Sequence, residues 1–509
     1  MKQYDLIAIG TGSAMHVVNG MLEMNPRARV AVIDKDEPGG ICLTKGCIPS
    51  KLLLYPAELV RTIETCDRFG IEVKLKKIDF LRIMERMQKN ISAEIEIIRS
   101  GLQQDPNIDY YPEVGQFVAP YTLQVGDQTI TSEKILLATG SKPLIPPIKG
   151  LNEVDYLTSD TLLEIKKLPK RLAILGGGYI AAEYGHFFSA MGSEVTIFGR
   201  NPFFLPDEEP EIRALAKRKM SKHMAVLTNH EVTEVQDAGG GKKKIVAMNA
   251  HEGRTVERIV EEILVATGRG PNVDILNPEK GKIEIDENGW IVVDEYLETS
   301  LPGVWACGDA NGKYQFKHKA NYEAFIIYNN AILGNRVEVD YHAVPHAVFT
   351  YPEVASVGLK ESEAVKLYKE ENVRIGFKRF QDVAKGEAMA VEDCFVKVIV
   401  EPASNRILGA HIIGPYASIL IQEVVTLMYT PSQSALPIMY GMHIHPALSE
   451  VVERAFDSLL PPAHYHHLLQ KTFGLKIEET RTKKKASPGI LGGFGSGADP
   501  KGTVFMQMV

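Results

Sequence analysis

The sequence predicts an α/β fold with two Rossmann-like dinucleotide-binding domains and a C-terminal α+β domain. Two segments of the 509-residue chain, 5–34 and 171–200, each read as an apolar strand, a glycine-rich turn, a helix and a second apolar strand, which is the pattern of a dinucleotide-binding unit. From about residue 344 onwards, short strands and helices alternate without such turns. Several domains are expected at this length, because single hydrophobic cores stop growing at roughly 250–300 residues.

The first glycine-rich turn carries an incomplete dinucleotide fingerprint. Gly10 and Gly12 follow the predicted strand Asp5–Ile9, and glycines at these positions let the backbone approach a pyrophosphate at the N-terminus of the next helix. Asp34 ends the second strand, where a carboxylate can accept hydrogen bonds from ribose hydroxyls. Met15 stands in place of the third glycine, so this motif alone leaves open a glycine turn in an unrelated sheet.

The second turn has a complete fingerprint but a different strand end. Gly176, Gly178 and Ala181 supply the three small residues, whereas Gly199 takes the place of the ribose-binding carboxylate and Arg200 follows it. A carboxylate selects the free 2′-hydroxyl of NAD, and an arginine suits the 2′-phosphate of NADP. We therefore expect NADP(H) to be favoured over NAD(H). The alternative is a surface arginine that contacts no cofactor.

The chain around these units completes the predicted organisation. A helix is expected over 78–104 and short strands over 108–137, and the strand-like segment 304–309 is expected to return the chain to the first domain. From residue 482 the sequence is rich in Lys, Gly, Ser and Pro, a composition typical of flexible tails. The predicted domains are 1–150 and 273–343 for the first nucleotide-binding domain, 151–272 for the second, 344–470 for the C-terminal domain and 471–509 for a flexible tail.

Charge and composition exclude two classes of partner. The net charge is −7 and the pI is about 6.1, so the chain lacks the excess of positive charge that binds nucleic acid or an anionic membrane surface. It contains no run of about 20 apolar residues, the length that spans a bilayer. The N-terminus leads directly into a strand without the regions of a signal peptide. We therefore expect a cytoplasmic protein that binds neither nucleic acid nor membrane.

Two of the five cysteines, Cys42 and Cys47, lie close together in the first domain. In a cytoplasmic chain such a pair is more often catalytic or metal-binding than structural. Five residues of regular helix rise about 7.5 Å, more than the roughly 4.4–6.8 Å between the Cα atoms of a disulfide. A bridge would thus require a distorted segment, which Gly46 and Pro49 favour. Structural zinc is disfavoured because it requires four ligands and the other cysteines are isolated.

Taken together, these motifs resemble those of the class I pyridine nucleotide-disulfide oxidoreductases. The resemblance covers about residues 3–470 in family order. Besides the two glycine turns, it rests on Cys42-x4-Cys47-Ile48-Pro49-Ser50-Lys51, on Ala306-Cys307-Gly308-Asp309, on the segment 344–353 and on His445-Pro446-Ala447-Leu448-Ser449-Glu450. The family includes dihydrolipoamide dehydrogenase, glutathione reductase, mycothione reductase and mercuric reductase. It implies an FAD domain, an NAD(P) domain and a dimerisation domain in a homodimer.

The resemblance implies a redox-active disulfide between Cys42 and Cys47. Cys42 would be the interchange thiol that reacts with the sulfur of the substrate, and Cys47 would be the charge-transfer thiol beside the flavin. Lys51, paired with Glu183, would lie near the flavin N5. Tyr179 would cover the nicotinamide pocket and move aside for the nicotinamide.

The family pattern also implies an acid–base pair, His445 and Glu450, that reaches the site from the partner subunit. A thiolate rather than a thiol attacks a disulfide, and histidine has the ordinary pKa to manage that proton near neutral pH. Asp309 would bind the ribityl chain of FAD. The implied cofactor-binding residues are Gly10, Gly12, Asp34, Lys51, Thr139, Gly140, Gly176, Gly178, Tyr179, Arg200, Gly268 and Asp309, and no metal is expected.

Two enzymatic activities on a small thiol or disulfide stay open. The first is the oxidation of a dithiol by NAD⁺, as in dihydrolipoamide dehydrogenase, and the second is the NADPH-dependent reduction of a low-molecular-weight disulfide, as in glutathione or mycothione reductase. The resemblance does not favour mercury reduction, because mercuric reductases carry an additional C-terminal cysteine pair and lack the His–Glu pair, whereas here no cysteine follows Cys394 and His445–Glu450 is present. A non-catalytic flavoprotein redox sensor is a third interpretation, against which the intact cysteines and this pair argue.

Overall fold

The computed structural model describes residues 1–473, and the chain separates into two compact units. The first unit contains Met1–Pro206, Lys217–Asp340 and Phe349–Tyr351, and the second contains Asp207–Ala216, Tyr341–Val348 and 352–473. The predicted tail lies outside the described residues, except that its first three residues continue the last helix to Phe473. None of the helices within residues 1–473 combines the length and apolar character needed to cross a membrane. The cytoplasmic location stays a prediction.

The elements of the first 143 residues begin with a strand–turn–helix–strand unit. They are β1 (Lys2–Gln3), β2 (Leu6–Ile9), α1 (Ala14–Met24), β3 (Val30–Ile33), α2 (Gly40–Thr44), α3 (Cys47–Ile63), α4 (Phe80–Gln104), β4 (Ile108–Tyr111), β5 (Gly115–Ala119), β6 (Thr122–Val125), β7 (Gln128–Thr131), β8 (Ile135–Leu137) and β9 (Ser141–Pro143). The predicted helix 78–104 corresponds to α4. Its start is fixed by Asp79, whose carboxylate accepts a hydrogen bond from the Arg82 N–H at 3.2 Å, as N-cap side chains do.

The next elements repeat the strand–turn–helix–strand unit and then return to the first domain. They are β10 (Leu157–Thr158), β11 (Arg171–Leu175), α5 (Tyr179–Met191), β12 (Glu194–Gly199), α6 (Pro210–Met220), β13 (Ala225–Thr228), β14 (His230–Gly239), β15 (Lys242–Asn249), β16 (Thr255–Val260), β17 (Glu262–Val265), β18 (Arg269–Pro271), β19 (Val304–Ala306) and α7 (Lys317–Ile327).

The remaining described elements alternate between strands and helices. They are β20 (His346–Val348), β21 (Glu353–Gly358), α8 (Glu361–Tyr368), β22 (Arg374–Arg379), α9 (Ala384–Ala388), β23 (Phe395–Glu401), β24 (Arg406–Gly414), α10 (Ala417–Met428), α11 (Leu436–Tyr440), α12 (Glu450–Asp457), β25 (Leu459–Leu460) and α13 (Pro462–Phe473).

Two five-stranded parallel sheets confirm the predicted pair of dinucleotide-binding folds. Their strand orders are β19-β8-β2-β3-β4 and β10-β17-β11-β12-β13. β19 pairs with β8, so the segment 304–309 does return the chain to the first sheet. The central strands β2 and β11 each lead into a glycine-rich turn. Because parallel strands end at the same edge of a sheet, both turns open at a carboxyl edge, where such folds bind ligands.

Smaller antiparallel sheets complete the first unit, and one large sheet forms the second. β14, β15 and β16 form an antiparallel meander, and β5, β6 and β7 form another to which β1 adds in parallel. The second unit has a six-stranded antiparallel sheet in the order β20-β21-β24-β23-β22-β25. Its core is built from the inner residues of these strands and from α10, α11 and α12. This arrangement confirms the predicted C-terminal α+β domain.

A buried ionic group explains why Asp207–Ala216 belongs to the second unit, although the sequence assigns it to the second nucleotide-binding domain. The ammonium of Lys397, fully buried on β23, lies 3.1 Å from Glu209, 2.7 Å from Glu211 and 2.8 Å from Glu361. Tyr465 also donates a hydrogen bond to Glu211. A buried carboxylate requires such partners, which favours this packing. The domain boundaries themselves stay a prediction.

A second buried pair fixes the turn that contains Asp309. Lys319 and Glu323, one helical turn apart on α7, are fully buried with 3.0 Å between ammonium and carboxylate. Glu323 accepts hydrogen bonds from the Gly308 N–H and from the Asn311 amide, each at 2.7 Å. Lys319 donates to the Gly308 carbonyl at 3.0 Å and to Asn311 Oδ1 at 2.7 Å. The helix therefore holds both ends of the turn.

Removing one member of this pair is expected to destabilise the protein. Glu323→Ala leaves the Lys319 ammonium buried without a counter-charge, which costs about 3–5 kcal/mol of unfolding free energy. We expect a lower urea midpoint for Glu323→Ala and a smaller loss for the double variant Lys319→Met/Glu323→Leu. As a control, Asp274→Ala breaks an exposed pair with Lys142, worth at most about 1 kcal/mol. Wild-type stability of Glu323→Ala would contradict the assignment.

Candidate active site

Cys42 and Cys47 lie on two consecutive helices, of which the first is short and the second is long. Cys42 is in α2 and Cys47 is the first residue of α3, with Lys45 and Gly46 between the helices. A Cβ built on Gly46 would lie 2.9 Å from the carbonyl oxygen of Ile41, so glycine is required at this tight connection. The break between α2 and α3 thus falls between the two cysteines, as a disulfide between them requires. Both thiols are free, and the neighbouring Cys47 is the largest influence on the pKa of Cys42.

The mutual influence of the two sulfurs shifts their pKa values in opposite directions. The pKa of Cys42 is raised, chiefly because its thiol proton is held by Cys47. The pKa of Cys47 is lowered to about 7, because Cys42 favours its thiolate and the ammonium of Lys51 attracts it, although partial desolvation and the carboxylate of Glu183 oppose this. Near neutral pH the reduced pair therefore holds its thiolate at Cys47 and a thiol at Cys42.

Lys51 and Glu183 form the ion pair that the sequence predicts. The ammonium lies 3.0 and 2.9 Å from the two carboxylate oxygens, and Glu183 is buried on α5. Glu183 also accepts a hydrogen bond from the Phe349 N–H at 3.1 Å. The ring of Phe349 lies 4.4 Å from the Lys51 ammonium, within cation–π range. Sequence reasoning missed this role of Phe349, because only its place in the 344–353 motif singled it out.

The first glycine-rich turn, Gly10-Thr11-Gly12, is called the first cradle below. The backbone of neighbouring segments lies so close to it that a side chain at Gly10 has no room. Gly10 has a φ of 103°, and a Cβ built there would lie 2.2 Å from the carbonyl oxygen of Ala138. A Cβ on Gly40 would lie 2.6 Å from the Cα of Gly12, so the segment before Cys42 approaches the turn closely. Met15, the departure from the fingerprint, is half-buried against the hydrophobic core. The cradle thus keeps its shape without the third glycine.

Asp34 stands at the end of β3 beside this cradle. Its Oδ2 accepts hydrogen bonds from the N–H and the hydroxyl of Thr11 at 2.8 and 2.6 Å, and its Oδ1 accepts one from the Asp36 N–H at 3.1 Å. Burial raises the pKa of Asp34, and the hydrogen bonds from Thr11 oppose that shift. The carboxylate is therefore fixed by the turn, with acceptor capacity left for ribose hydroxyls.

The second glycine-rich turn, Gly176-Gly177-Gly178, is the second cradle. It also has no room for a side chain at its first glycine, but the strand beside it, β12, ends in a glycine and not in an acidic residue. Gly176 has a φ of 131°, and a Cβ there would lie 2.1 Å from the carbonyl oxygen of Ala266. Gly178 precedes α5 and has open space around its Cα. Gly199 ends β12 within the same sheet, and Arg200 follows it with an exposed side chain. Neither the residue that ends β12 nor the one that follows it carries a carboxylate.

Tyr179 and Gly268 flank the second cradle. Tyr179 is the first residue of α5, and its ring centroid lies 6.4 Å from that of Phe316. Burial raises the pKa of Tyr179 to about 12, so its phenol is neutral near physiological pH. Gly268 follows β17 with a φ of 115° and is exposed. Both residues border the carboxyl edge of the second parallel sheet.

Asp309 and Thr139 follow the paired strands β19 and β8 at the carboxyl edge of the first sheet. The Ser141 hydroxyl donates to Asp309 at 2.5 Å and accepts from the Arg269 guanidinium at 2.8 Å. The hydroxyl of Thr139 is buried and finds no hydrogen-bond partner among residues 1–473, which is costly unless a ligand supplies one. Gly140, the next residue, has a φ of 65°. These residues fit a bound polar group at this edge.

His445 and Glu450 form a pair in the second unit. His445 Nδ1 lies 2.9 Å from Glu450 Oε1, and the histidine side chain is 66% exposed whereas Glu450 is 5% exposed. Glu450 also accepts hydrogen bonds from the Ala447 N–H at 3.1 Å and from Arg454 at 2.8 Å. The hydrogen bond with His445 lowers the pKa of Glu450. A fixed carboxylate thus orients an exposed imidazole, as in acid–base pairs.

The other three cysteines differ in burial. Cys307 and Cys394 are buried, whereas Cys66 is half-buried at the start of a short 3-10 helix after α3. Burial raises the pKa of Cys307 to about 12, so it stays a thiol near neutral pH.

The fold and these residues define a redox enzyme with two dinucleotide cradles and a dithiol between them. A model of the pyridine nucleotide-disulphide oxidoreductases matches residues 4–324, and a model of their dimerisation domain matches residues 344–456. Mycothione reductase of Mycobacterium tuberculosis is 36% identical over 470 residues, covering 90% of this chain and 100% of the relative. Dihydrolipoyl dehydrogenase of Chlamydia muridarum is 31% identical over 473 residues, covering 91% and 98%.

A solved structure supports the same placement. The HOCl-induced flavoprotein disulfide reductase RclA from Escherichia coli superimposes with a TM-score of 0.78 at 26% identity, covering 89% of this chain and 99% of RclA. The chain belongs to the pyridine nucleotide-disulphide oxidoreductase family. It is an FAD-dependent, pyridine nucleotide-linked enzyme that acts on sulfur groups. The fold class and the family that the sequence predicts are thereby confirmed.

The titration of Cys47 is expected to follow the charges beside it. In the reduced enzyme, the long-wavelength absorbance of a thiolate next to flavin should appear as pH rises through about 7 and disappear below it, because the Cys47 pKa is about 7. Lys51→Met should move the midpoint up, since the attracting charge is lost, and Glu183→Gln should move it down. Lys45→Met is the control, and Cys47→Ser should lack the band. An unchanged midpoint in both variants would contradict this account.

Proposed function

We propose that this enzyme is an NADPH-dependent reductase of a low-molecular-weight disulfide. The observation that supports this most directly is the end of β12, where Gly199 and the exposed Arg200 take the place of a carboxylate. Arginine favours the 2′-phosphate of NADP over the free hydroxyl of NAD. The 36% identity to a mycothione reductase points to the same class of substrate. Dihydrolipoamide oxidation with NAD⁺ is the alternative outcome of the test below.

The first cradle is proposed to hold FAD and the second the nicotinamide nucleotide. When bound, the flavin supplies the passage of two electrons from the nicotinamide to the disulfide. Asp34 would accept hydrogen bonds from the adenine-side ribose, and Thr139, Gly140 and Asp309 would bind the remainder of FAD. The residues assigned to the nicotinamide nucleotide are Gly176, Gly178, Tyr179, Arg200 and Gly268.

Thiol–disulfide exchange by the chain's own sulfurs completes the proposed reaction. With the proton of Cys42 removed, its thiolate attacks one sulfur of the substrate disulfide, forms a mixed disulfide and releases a thiolate that takes up that proton. The Cys47 thiolate then attacks the Cys42 sulfur, which closes the Cys42–Cys47 disulfide and releases the second thiolate. One NADPH and one proton thus convert one disulfide into two thiols. His445 is proposed to carry the protons.

His445 is proposed to act on the cysteines of a second copy in a homodimer. The segment before it presents large apolar side chains to solvent, with Tyr440 81% exposed and Ile444 78% exposed, and Met442 is fully exposed. Such an apolar surface marks an interaction site. The dimerisation-domain match over residues 344–456 includes this segment. We propose that a second copy covers it and that this contact brings His445 to the partner's dithiol.

Coenzyme kinetics test the proposed reductase. We expect a higher kcat/KM for NADPH than for NADH, and Arg200→Glu should lower the NADPH value by about 10- to 100-fold through KM, as expected for a lost charge-assisted contact. Arg258→Glu, an exposed arginine on β16, is the control. Turnover is measured with a panel of small disulfides and with dihydrolipoamide. An NADH preference together with dihydrolipoamide turnover would replace this proposal with the dehydrogenase.

Mixed dimers test whether His445 acts across the interface. Cys42→Ser should abolish disulfide turnover, and His445→Gln should slow it by about 10²–10⁴-fold, the usual contribution of an acid–base group. A dimer with one subunit of each variant then regains one intact site and about half of the wild-type activity. The control dimer pairs Cys42→Ser with the double variant Cys42→Ser/His445→Gln and has no intact site. If the mixed dimer is no more active than its parents, His445 acts within its own subunit.

A further inference from the structure

Lys317 carries a positive charge in a place that disfavours one. It is the first residue of α7, and its side chain is half-buried. The N-terminus of a helix bears a partial positive charge, so a lysine there is less stable than an acidic residue. The first turn of α7 contains no acidic residue. Stabilisation of α7 therefore does not explain why a lysine stands at its first position.

The Lys317 ammonium lies against the first nucleotide cradle. It donates a hydrogen bond to the Ser13 hydroxyl at 2.9 Å, and that hydroxyl donates to Asn321 Oδ1 at 2.9 Å. Ser13 follows Gly12 directly and precedes α1, yet its side chain caps none of the N–H groups of that helix. The hydroxyl instead connects the cradle to α7. The positive ends of α1 and α7 and the ammonium thus share one region.

Within the described part of the chain, residues 1–473, this ammonium has no counter-charge. Among residues 1–473, no aspartate or glutamate forms an ion pair with Lys317, whereas Lys319 of the same helix is paired with Glu323 and Lys51 is paired with Glu183. A partly desolvated charge favours a partner of opposite sign. Two helix N-termini beside it add to the preference for an anion. The expected ligand group is therefore anionic and lies at the glycine turn.

We propose that Lys317 is the counter-charge of the FAD pyrophosphate, with Ser13 and Asn321 as its positioning residues. The assignment rests on the proposed location of FAD in the first cradle and is independent of which nicotinamide or disulfide the enzyme uses. It adds a binding residue about 300 positions beyond the glycine fingerprint. The same charge also acts on Cys42, whose thiolate it favours, which agrees with the close approach of Gly40 to Gly12.

The test is the affinity of the apoprotein for FAD, measured by quenching of flavin fluorescence. Lys317→Gln is expected to raise the Kd about 10- to 100-fold, the size of a lost hydrogen bond between charged groups, and Lys317→Arg should restore most of the affinity. Riboflavin, which has no phosphate, should bind wild type and Lys317→Gln equally. Lys89→Gln, an exposed lysine of α4, is the matched control. Variants that do not refold as apoproteins are compared as holoproteins by their rate of FAD release.

Gly12→Ala separates failure of this inference from failure of the cradle assignment. The added methyl would have its nearest neighbour, the Cα of Gly40, at 3.7 Å, so the fold tolerates it while the approach of a pyrophosphate is blocked. Gly178→Ala is the matched change in the second cradle and should weaken only the nicotinamide nucleotide. Loss of FAD in Gly12→Ala with wild-type FAD affinity in Lys317→Gln would overturn the role of Lys317. Wild-type FAD affinity in Gly12→Ala would overturn the location of FAD.

Discussion

The ion pair between Lys51 and Glu183 is the constraint on which the redox centre depends. Lys51 lies on the helix that begins with Cys47, and Glu183 lies on the helix that follows the second glycine turn, so the pair fixes the dithiol relative to both cradles. The Lys51 ammonium lowers the pKa of Cys47, and the Glu183 carboxylate raises it. The Phe349 N–H and ring hold the pair from a third segment of the chain. One contact therefore holds the segment of the sulfur pair and adds to the influence of Cys42 on the pKa of Cys47.

The cradles show how close backbone approach replaces side-chain packing near a cofactor. Gly10 and Gly176 occupy equivalent positions after the central strands, and at each a Cβ would meet a carbonyl oxygen of the neighbouring strand's extension at 2.2 and 2.1 Å. A Cβ on Gly40 would likewise lie too close to the backbone of Gly12, at 2.6 Å from its Cα. The segment that contains Cys42 therefore lies against the first glycine-rich turn. Space for a pyrophosphate and proximity to the dithiol thus come from the same glycines.

Buried charge is organised differently in the two units. In the first, the buried pair of Lys319 and Glu323 fixes the turn of Asp309, and the half-buried Lys51 with the buried Glu183 supports the dithiol, so both pairs serve residues of the candidate site. In the second, Lys397 gathers three carboxylates from segments far apart in the chain. That group has no counterpart in the sequence motifs. Its role is to join Asp207–Ala216 to the large antiparallel sheet.

Local sequence signals predicted much of the candidate site. The spacing from Cys42 to Cys47 with Gly46 indicated a broken helix, and the two glycine turns indicated their strands and helices within a residue or two. Glu183 could be assigned to Lys51 only through the family resemblance, since the two are 132 positions apart. Phe349, Ser141, Arg269 and Lys317 were missed for the same reason. Their partners lie more than 100 residues away, and hydrogen bonds over such separations leave no periodic pattern.

The sequence by itself determined the fold class, the two nucleotide-binding units, the dithiol and the family, because each depends on short-range patterns of glycine, apolar and cysteine residues. Only the tertiary structure decided which charges meet. It lowered the pKa of Cys47 and, among the described residues, left the hydroxyl of Thr139 without a partner and set Lys317 beside Ser13 without a counter-charge. The physical reason is that a pKa and an ion pair depend on distance and burial in space, which spacing along the chain does not encode.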